Sequence, residues 1–163
     1  MKLVIIDYGM GNLYSLKSTI EHLGSGDVTI SNNISIISKA SKLFLPGVGS
    51  FAKAINKIKI LKLDKILNDL VLKKKIPILG ICLGMQLLCN SSDEDGGSEG
   101  LGFIEAEYKK FNFKNLKVPH VGFNLVKHNN TSIWNGIANY SPFYFIHSYR
   151  VLPNKEKIKV GLT

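Results

Sequence analysis

Residues 77–88 read Pro-Ile-Leu-Gly-Ile-Cys-Leu-Gly-Met-Gln-Leu-Leu and carry the most informative pattern in this sequence. The first half is a continuous apolar run, as in a parallel strand buried on both faces, and residues 83–88 predict a helix. Gly80-Ile-Cys82-Leu-Gly84 joins the two, which is the pattern of a nucleophile elbow with Cys in place of Ser. Such a turn would expose the Cys82 thiol, the helix N-terminus would favour its thiolate, and the backbone N–H of Leu83 would face an oxyanion. The motif alone also fits a buried structural cysteine between two packing glycines.

Upstream of this motif, apolar runs alternate with segments of helical periodicity. Predicted strands cover 2–7, 27–30, 42–45 and 77–81, and predicted helices cover 13–23, 51–71 and 83–88. This alternation predicts an α/β fold with a mostly parallel sheet and helices on both faces. Pro46-Gly-Val-Gly49 ends a predicted strand at the same edge of the sheet, where its glycines would let a second backbone N–H face the oxyanion. Taken alone, that segment also fits an ordinary strand-to-helix turn.

The pattern changes after Asn90. Residues 91–100 are polar, acidic and glycine-rich and are predicted to form a loop, whereas the segments at 103–108, 118–126 and 143–151 alternate like β-strands. These segments predict an antiparallel extension of the parallel core. The chain shows no internal repeat and no long linker, so residues 1–163 are predicted to form a single domain.

Composition argues against several classes of protein. The net charge is +9, but Arg150 is the one arginine and the lysines are spread along the chain. This distribution disfavours a nucleic-acid interface. It fits a solvated surface, or a positive field that attracts an anionic substrate or an acidic partner. No apolar run reaches the roughly 18 residues of a membrane span. The two cysteines favour a reducing cytoplasm, and Cys89 is predicted to lie in the core. Without metal-ligand spacing or a Walker-type phosphate loop, no metal or cofactor is expected.

Five motifs in a fixed order resemble one family. They are Asp7-Tyr-Gly-Met-Gly-Asn12, Leu45-Pro-Gly-Val-Gly-Ser-Phe51, Gly80-Ile-Cys-Leu-Gly-Met-Gln-Leu87, Pro119-His-Val-Gly-Phe-Asn124 and Tyr144-Phe-Ile-His-Ser-Tyr149. Together they are similar to the glutamine amidotransferase subunits of imidazole glycerol phosphate synthases, which are class I, triad-type amidotransferases with a flavodoxin-like core. The resemblance covers essentially the whole chain.

The resemblance implies a function and a set of site residues. Cys82 would attack the carboxamide of L-glutamine and form a glutamyl thioester, and the released ammonia would pass to a (β/α)₈-barrel cyclase partner in a heterodimer. The products, in histidine biosynthesis, would be imidazole glycerol phosphate and an aminoimidazole carboxamide ribotide. The implied roles are an oxyanion hole at Val48 and Leu83, a glutamine pocket at Gly49, Gln86, Glu94, Ser148 and Tyr149, and a partner interface at Asn12, Phe123 and Tyr144. Phe123 stands where a Trp is expected.

One part of the family pattern is missing. The family activates its cysteine with a His and a Glu from a late Gln-Phe-His-Pro-Glu-type motif, and this sequence contains none. We expect the chain to be a C-terminally shortened version of a longer protein, with 157–161 as the start of a further strand; a natural truncation without glutaminase activity is the alternative. The residues alone would pair His147 with Cys82, but the resemblance assigns that strand to substrate binding and the interface. His120 is predicted to pack or orient a loop, and His22 and His128 to lie on the surface.

Two other functions stay open. A paralogous subunit could supply ammonia for amidation of surface-polysaccharide sugars, which the departure at Phe123 allows. A catalytically inactive docking subunit is the other alternative, because the sequence lacks the His-Glu pair that would activate Cys82.

Overall fold

A parallel four-stranded sheet forms the centre of the computed structural model, which describes residues 2–112, 117–129, 131–153 and 158–163. Its strands are β1 (Leu3–Ile6), β2 (Val28–Ser31), β3 (Lys42–Gly47) and β4 (Ile78–Cys82). They lie side by side in the order β2-β1-β3-β4, and every neighbouring pair is parallel. The carboxyl ends of β3 and β4 are therefore adjacent at one edge of the sheet, which is where α/β sheets hold their sites.

Helices cover both faces of this sheet, as predicted. They are α1 (Leu13–His22), α2 (Ile34–Ile37), α3 (Phe51–Ile60), α4 (Leu63–Asn68), which continues into a π-helical turn (Asp69–Lys73), and α5 (Leu83–Leu87). Successive side chains of a strand point to opposite faces. Accordingly, Leu3 and Ile5 pack with Ile20 of α1, while Val4 and Ile6 pack in the larger cluster with α2, α3 and α4. A strand apolar at every position is thus buried on both sides.

The second half of the chain forms shorter strands that lie outside the parallel sheet. They are β5 (Cys89–Ser92), β6 (Ser98–Glu99), β7 (Ile104–Lys110), β8 (His120–Val126), β9 (Ser141–His147) and β10 (Tyr149–Pro153), with single 3₁₀ turns at Glu94–Gly96 and Ser132–Trp134. One sheet has the order β10-β7-β5-β6, and β8 pairs with β9 as an antiparallel hairpin. The predicted antiparallel pairing is present, but it forms two sheets of its own and does not extend the parallel one, and β5 and β7 are parallel to each other.

Three local predictions in this half were wrong. The loop predicted for 91–100 contains the end of β5, a 3₁₀ turn and β6, because its polar residues pair with β7 and with each other. The strand predicted for 143–151 is two strands, divided at Ser148. The strand predicted for 157–161 is not formed by residues 158–161; Leu162 instead bridges to Lys127, and position 157 lies outside the described residues.

His128 was predicted to lie on the surface and is buried instead, with 6% of its area exposed. Its ring stacks on the Trp134 indole with centroids 4.5 Å apart, and its backbone N–H donates to the Asn139 side chain. His22 is exposed, as predicted. Among the helices that the structure describes, none combines the length and the apolar character needed to cross a bilayer.

Candidate active site

The junction of β4 and α5 has the geometry of a nucleophile elbow. Cys82 has φ 54° and ψ −119°, a backbone conformation that non-glycine residues adopt at a cost of about 1–3 kcal/mol. A Cβ on Gly80 would overlap the Met85 backbone, and a Cβ on Gly84 would overlap the Leu45 carbonyl. Glycine at both positions lets α5 lie directly against the strands, and the Cys82 side chain is exposed as a result.

The end of β3 lies beside this elbow. Gly47 is the register partner of Cys82 in the β3–β4 ladder. Val48 and Gly49 follow directly, so the segment that was predicted to carry the second oxyanion donor runs past the thiol. The φ of Gly49 is 93°, which glycine adopts readily. The Val48 side chain is 55% exposed, so nothing packs over most of it.

A cavity of about 340 Å³ opens at Cys82, within the size range of small-molecule sites. All five residues predicted to bind glutamine line it, together with the nucleophile and one predicted oxyanion residue: Gly49, Cys82, Leu83, Gln86, Glu94, Ser148 and Tyr149. These residues come from four separate segments of the chain. Pro119, Ile146 and His147 complete the wall and were not predicted to line it.

Glu94 lies between the cavity and the start of α3. Its carboxylate accepts a hydrogen bond from the backbone N–H of Phe51 at 3.2 Å, and the neighbouring Asp95 accepts one from the Ser50 hydroxyl at 2.6 Å. Ser50 itself caps α3, because its hydroxyl accepts from Lys53 N–H. Burial raises the pKa of the Glu94 carboxyl, with the Asp95 and Asp93 charges adding to the rise and the Phe51 bond opposing it. The turn that carries Glu94 is therefore fixed to the helix beside it.

Both ring nitrogens of His147 are engaged. Its Nδ1 lies 2.8 Å from the Tyr149 carbonyl oxygen, and its Nε2 lies 2.9 Å from Nδ1 of His120, its cross-strand partner. A carbonyl can only accept, so Nδ1 of His147 donates to it, and Nε2 of His147 shares the second hydrogen bond with Nδ1 of His120. His147 is the one histidine among the described residues that line the cavity. Neither of its nitrogens is available to the Cys82 thiol in this arrangement.

The outer face of the β8–β9 hairpin is apolar and exposed. Phe123 is 71% exposed and Tyr144 56%, and their rings meet edge to face with centroids 5.3 Å apart. Val121 and Ile146 extend the same exposed face. Asn12, the third residue predicted for the interface, caps α1, where its side chain accepts a hydrogen bond from Ser15 N–H. An exposed apolar patch of this kind is typical of a protein–protein contact.

Within the described part of the chain, no three His, Cys, Asp or Glu side chains are grouped so that they could hold a metal ion. Cys89 is buried, as predicted, and burial raises the pKa of its thiol to about 11. Its chemistry is therefore that of an inert core residue, in contrast to the exposed Cys82.

An exposed cysteine on an elbow, facing a cavity at the edge of a parallel sheet, defines a class of hydrolytic α/β enzymes. The chain belongs to the class I glutamine amidotransferases, because the family model described as "Glutamine amidotransferase class-I" matches residues 4–163. Two solved glutamine amidotransferases share the fold. One aligns with a TM-score of 0.64 and 14% identity over 88% of this chain and 69% of its own. The other, from Thermotoga maritima, aligns with a TM-score of 0.62 and 17% identity over 95% of this chain and 64% of its own.

Relatives of higher identity point to one member of the family. "Imidazole glycerol phosphate synthase subunit HisH 2" of Methanococcus maripaludis is 48% identical over 157 residues, which is 95% of this chain and 77% of the relative. The HisH subunit of Acinetobacter baylyi is 39% identical over 96% of this chain and 77% of its own length. That of Aquifex aeolicus is 40% identical over 100% of this chain and 78% of its own length. The resemblance drawn from the five motifs is confirmed.

Proposed function

We propose that this protein is the glutaminase subunit of an imidazole glycerol phosphate synthase and that it delivers ammonia to a cyclase partner. The observation that carries the proposal is the exposed Cys82 thiol on its elbow, facing a cavity lined by Gln86, Glu94 and Tyr149. The names of the relatives support the acceptor, since all three reported above are HisH subunits. They favour this acceptor over surface-polysaccharide sugars.

The reaction begins with attack of the Cys82 thiolate on the carboxamide carbon of glutamine. A bond forms between Sγ and that carbon, and negative charge develops on the carbonyl oxygen. The base then gives the proton that it took from the thiol to the leaving nitrogen, and collapse breaks the C–N bond and releases ammonia. Water then attacks the glutamyl thioester, which releases glutamate and regenerates the thiol. The backbone N–H groups of Leu83 and Val48 stabilise the oxyanion in both steps, and a donor of this kind lowers the barrier by about 3 kcal/mol.

The cavity wall distinguishes the two ends of the substrate. Glu94 supplies negative charge for the α-ammonium group of glutamine, and its fixed turn keeps the carboxylate in position. Gly49, Gln86, Ser148 and Tyr149 contact the remainder of the amino acid. A whole glutamine molecule fits a cavity of about 340 Å³ whose walls are both polar and apolar.

The base that activates Cys82 is a histidine other than His147, whose two nitrogens are already bonded. The other histidines of the chain are absent from the cavity wall. The family resemblance assigns the base and its Glu partner to a Gln-Phe-His-Pro-Glu-type motif, so we propose that they come from outside these 163 residues. A cytoplasmic location belongs to the same proposal, because a reducing compartment keeps an exposed thiol such as Cys82 in its reduced form.

The partner docks on the outer face of the β8–β9 hairpin. Phe123 and Tyr144 form its aromatic centre, and aromatic side chains are enriched among the residues that dominate binding energy. The resemblance supplies the identity of the partner, a (β/α)₈-barrel cyclase, and it also assigns Asn12 to the contact.

The experiment combines the protein, expressed from its full reading frame, with the (β/α)₈-barrel cyclase of the same organism. Glutamate release is measured with and without the phosphorylated ribulosyl-formimino acceptor, and formation of imidazole glycerol phosphate is followed in parallel. We expect glutamine-dependent product formation that Cys82→Ala abolishes, while free ammonia still supports the cyclase. Retention of glutamine hydrolysis by Cys82→Ala would refute the proposed nucleophile. Hydrolysis without product formation would refute the acceptor alone.

A further inference from the structure

Tyr8 lies directly beneath the elbow and has no assigned role. It follows β1, and its side chain is 1% exposed, within the cluster that also contains Leu45 and Leu83. Its hydroxyl donates a hydrogen bond of 2.7 Å to the carbonyl oxygen of Pro46. A fully buried phenol whose O–H donates to a backbone carbonyl restricts the orientation of that peptide plane.

The hydroxyl occupies space that a side chain at Gly47 would fill. A Cβ on Gly47 would overlap the Tyr8 oxygen, and it would also come within 3.0 Å of the Gly84 nitrogen and 3.1 Å of the Leu83 Cβ. Gly47 is the register partner of Cys82. The Tyr8 oxygen therefore lies at the junction of β3, the elbow and α5.

The bonded peptide is one residue away from the second oxyanion donor. Pro46 and Gly47 end β3, and the next peptide carries the N–H of Val48. Only the φ and ψ angles of Gly47 separate the two peptide planes, and glycine permits wide rotation about both. A hydrogen bond that holds the Pro46 carbonyl removes part of that freedom at the point where the β-ladder stops.

We propose that Tyr8 is a positioning residue of the oxyanion site: its hydroxyl holds the Pro46 carbonyl and thereby orients the Val48 N–H toward the oxygen of the reacting carboxamide. The inference rests on the proposed function, because it needs an oxyanion formed by attack of Cys82. Burial also raises the pKa of the Tyr8 phenol, so the hydroxyl keeps its proton and stays a donor at every pH at which the enzyme works.

The test is Tyr8→Phe in the full-length protein bound to its cyclase partner. Loss of one oxyanion donor costs roughly 10²–10³ in kcat, and a donor that is present but misaligned should cost about 10-fold. We expect kcat for glutamine hydrolysis to fall about 10-fold with KM changed less than about 2-fold. Tyr108→Phe removes a hydroxyl from another buried tyrosine, on β7, and should leave kcat unchanged.

Two probes of Cys82 separate an effect on the oxyanion from an effect on the thiol. Glutamate γ-semialdehyde adds the thiol to a carbonyl and places an oxygen at the oxyanion site, so Tyr8→Phe should weaken its binding about 10-fold. Iodoacetamide alkylates the thiol by displacement at a saturated carbon, without an oxyanion, and its rate should not change. Equal losses with both probes would overturn the proposal, because Tyr8 would then act on the elbow as a whole.

The remaining outcomes separate the role of Tyr8 from the proposed function. An unaltered kcat in a folded Tyr8→Phe protein overturns the role of Tyr8 and leaves the proposed function intact. Absence of glutaminase activity in the unchanged, partner-bound protein overturns the proposed function itself. If Tyr8→Phe does not fold, 4-fluorophenylalanine in place of Tyr8 fills the space of the hydroxyl without a proton to donate and should give the same split between the probes. Full aldehyde binding by that variant would refute the proposal.

Discussion

Replacement of Gly84 by alanine tests whether the close approach of α5 to β3 holds the elbow together. In a helix, Gly→Ala alone would stabilise the protein by about 0.5–1 kcal/mol. Here the new methyl group would overlap the Leu45 carbonyl. That carbonyl belongs to β3, which is fixed between β1 and β4, so it cannot rotate away. Overpacking of a rigid core costs about 1–3 kcal/mol, and the backbone obstacle places this case at the upper end. The expected net loss is about 2 kcal/mol, opposite in sign to the effect of helix propensity.

Urea-induced unfolding followed by far-ultraviolet circular dichroism measures this loss. The midpoint should fall with an unchanged slope, and the melting temperature should drop by about 4–8 °C for a domain of this size. Gly24→Ala is the matched control, since Gly24 has φ 77° and nothing within 4 Å of its added Cβ. It should cost only about 1 kcal/mol, for the left-handed backbone, and leave glutamine hydrolysis intact. A Gly84→Ala protein as stable as the parent would show that α5 does not need to approach the Leu45 carbonyl of β3 this closely.

Four further substitutions test the site and its surroundings. Cys82→Ala should lower glutamine hydrolysis by several orders of magnitude, measured as glutamate release, with folding unchanged by circular dichroism. Glu94→Gln should raise KM for glutamine about 10-fold or more, with a smaller effect on kcat. It should not reduce stability at neutral pH, because burial disfavours the charged carboxylate and the amide oxygen can still accept from Phe51 N–H. A lower melting temperature for Glu94→Gln would contradict this expectation. Phe123→Ala should weaken binding of the cyclase by about 10-fold or more in calorimetry, whereas Ile60→Ala, at a similarly exposed position at the end of α3, should not. Burial raises the pKa of the Cys89 thiol from 9.0 to about 11, so the native protein binds this proton more tightly than the unfolded chain, and the stability that it contributes below pH 9 is lost as the pH rises through 11. Cys89→Ala should therefore make the free energy of unfolding, measured with urea, fall less steeply between pH 9 and 11.

The parallel core and the elbow could be predicted because their signals are local. A strand buried on both faces is apolar at every position, and glycines mark the turns where backbones approach closely. The positions of the cavity residues followed from the family motifs. The burial of His128 could not be predicted, because it depends on stacking against Trp134 and on a bond from Asn139. The pairing of His120 with His147 likewise depends on a hairpin register that joins residues 27 positions apart.

The polar strand β5 shows why local patterns fail in the second half of the chain. Its sequence, Cys-Asn-Ser-Ser, has little β-propensity and reads as a loop. It forms a strand because β7 lies beside it and because β6 pairs with its other edge. Glu94 depends on the same contacts, since the turn that carries it joins β5 to β6. Tertiary pairing therefore places a cavity residue that composition alone assigns to a flexible loop.

The hairpin connects the two surfaces that the proposed function requires. Tyr144 lies on the exposed face of β9, whereas Ile146 and His147 line the cavity, and Ser148 and Tyr149 follow at once in its wall. Three hydrogen bonds fix this segment: His147 to His120, His147 to the Tyr149 carbonyl, and Phe111 N–H to the Ser148 carbonyl at 3.0 Å. In the proposed complex, a partner bound to the outer face would therefore contact the same strand that leads into the cavity wall. The proposed interface and the proposed glutamine site are adjacent along the chain, with β9 between them.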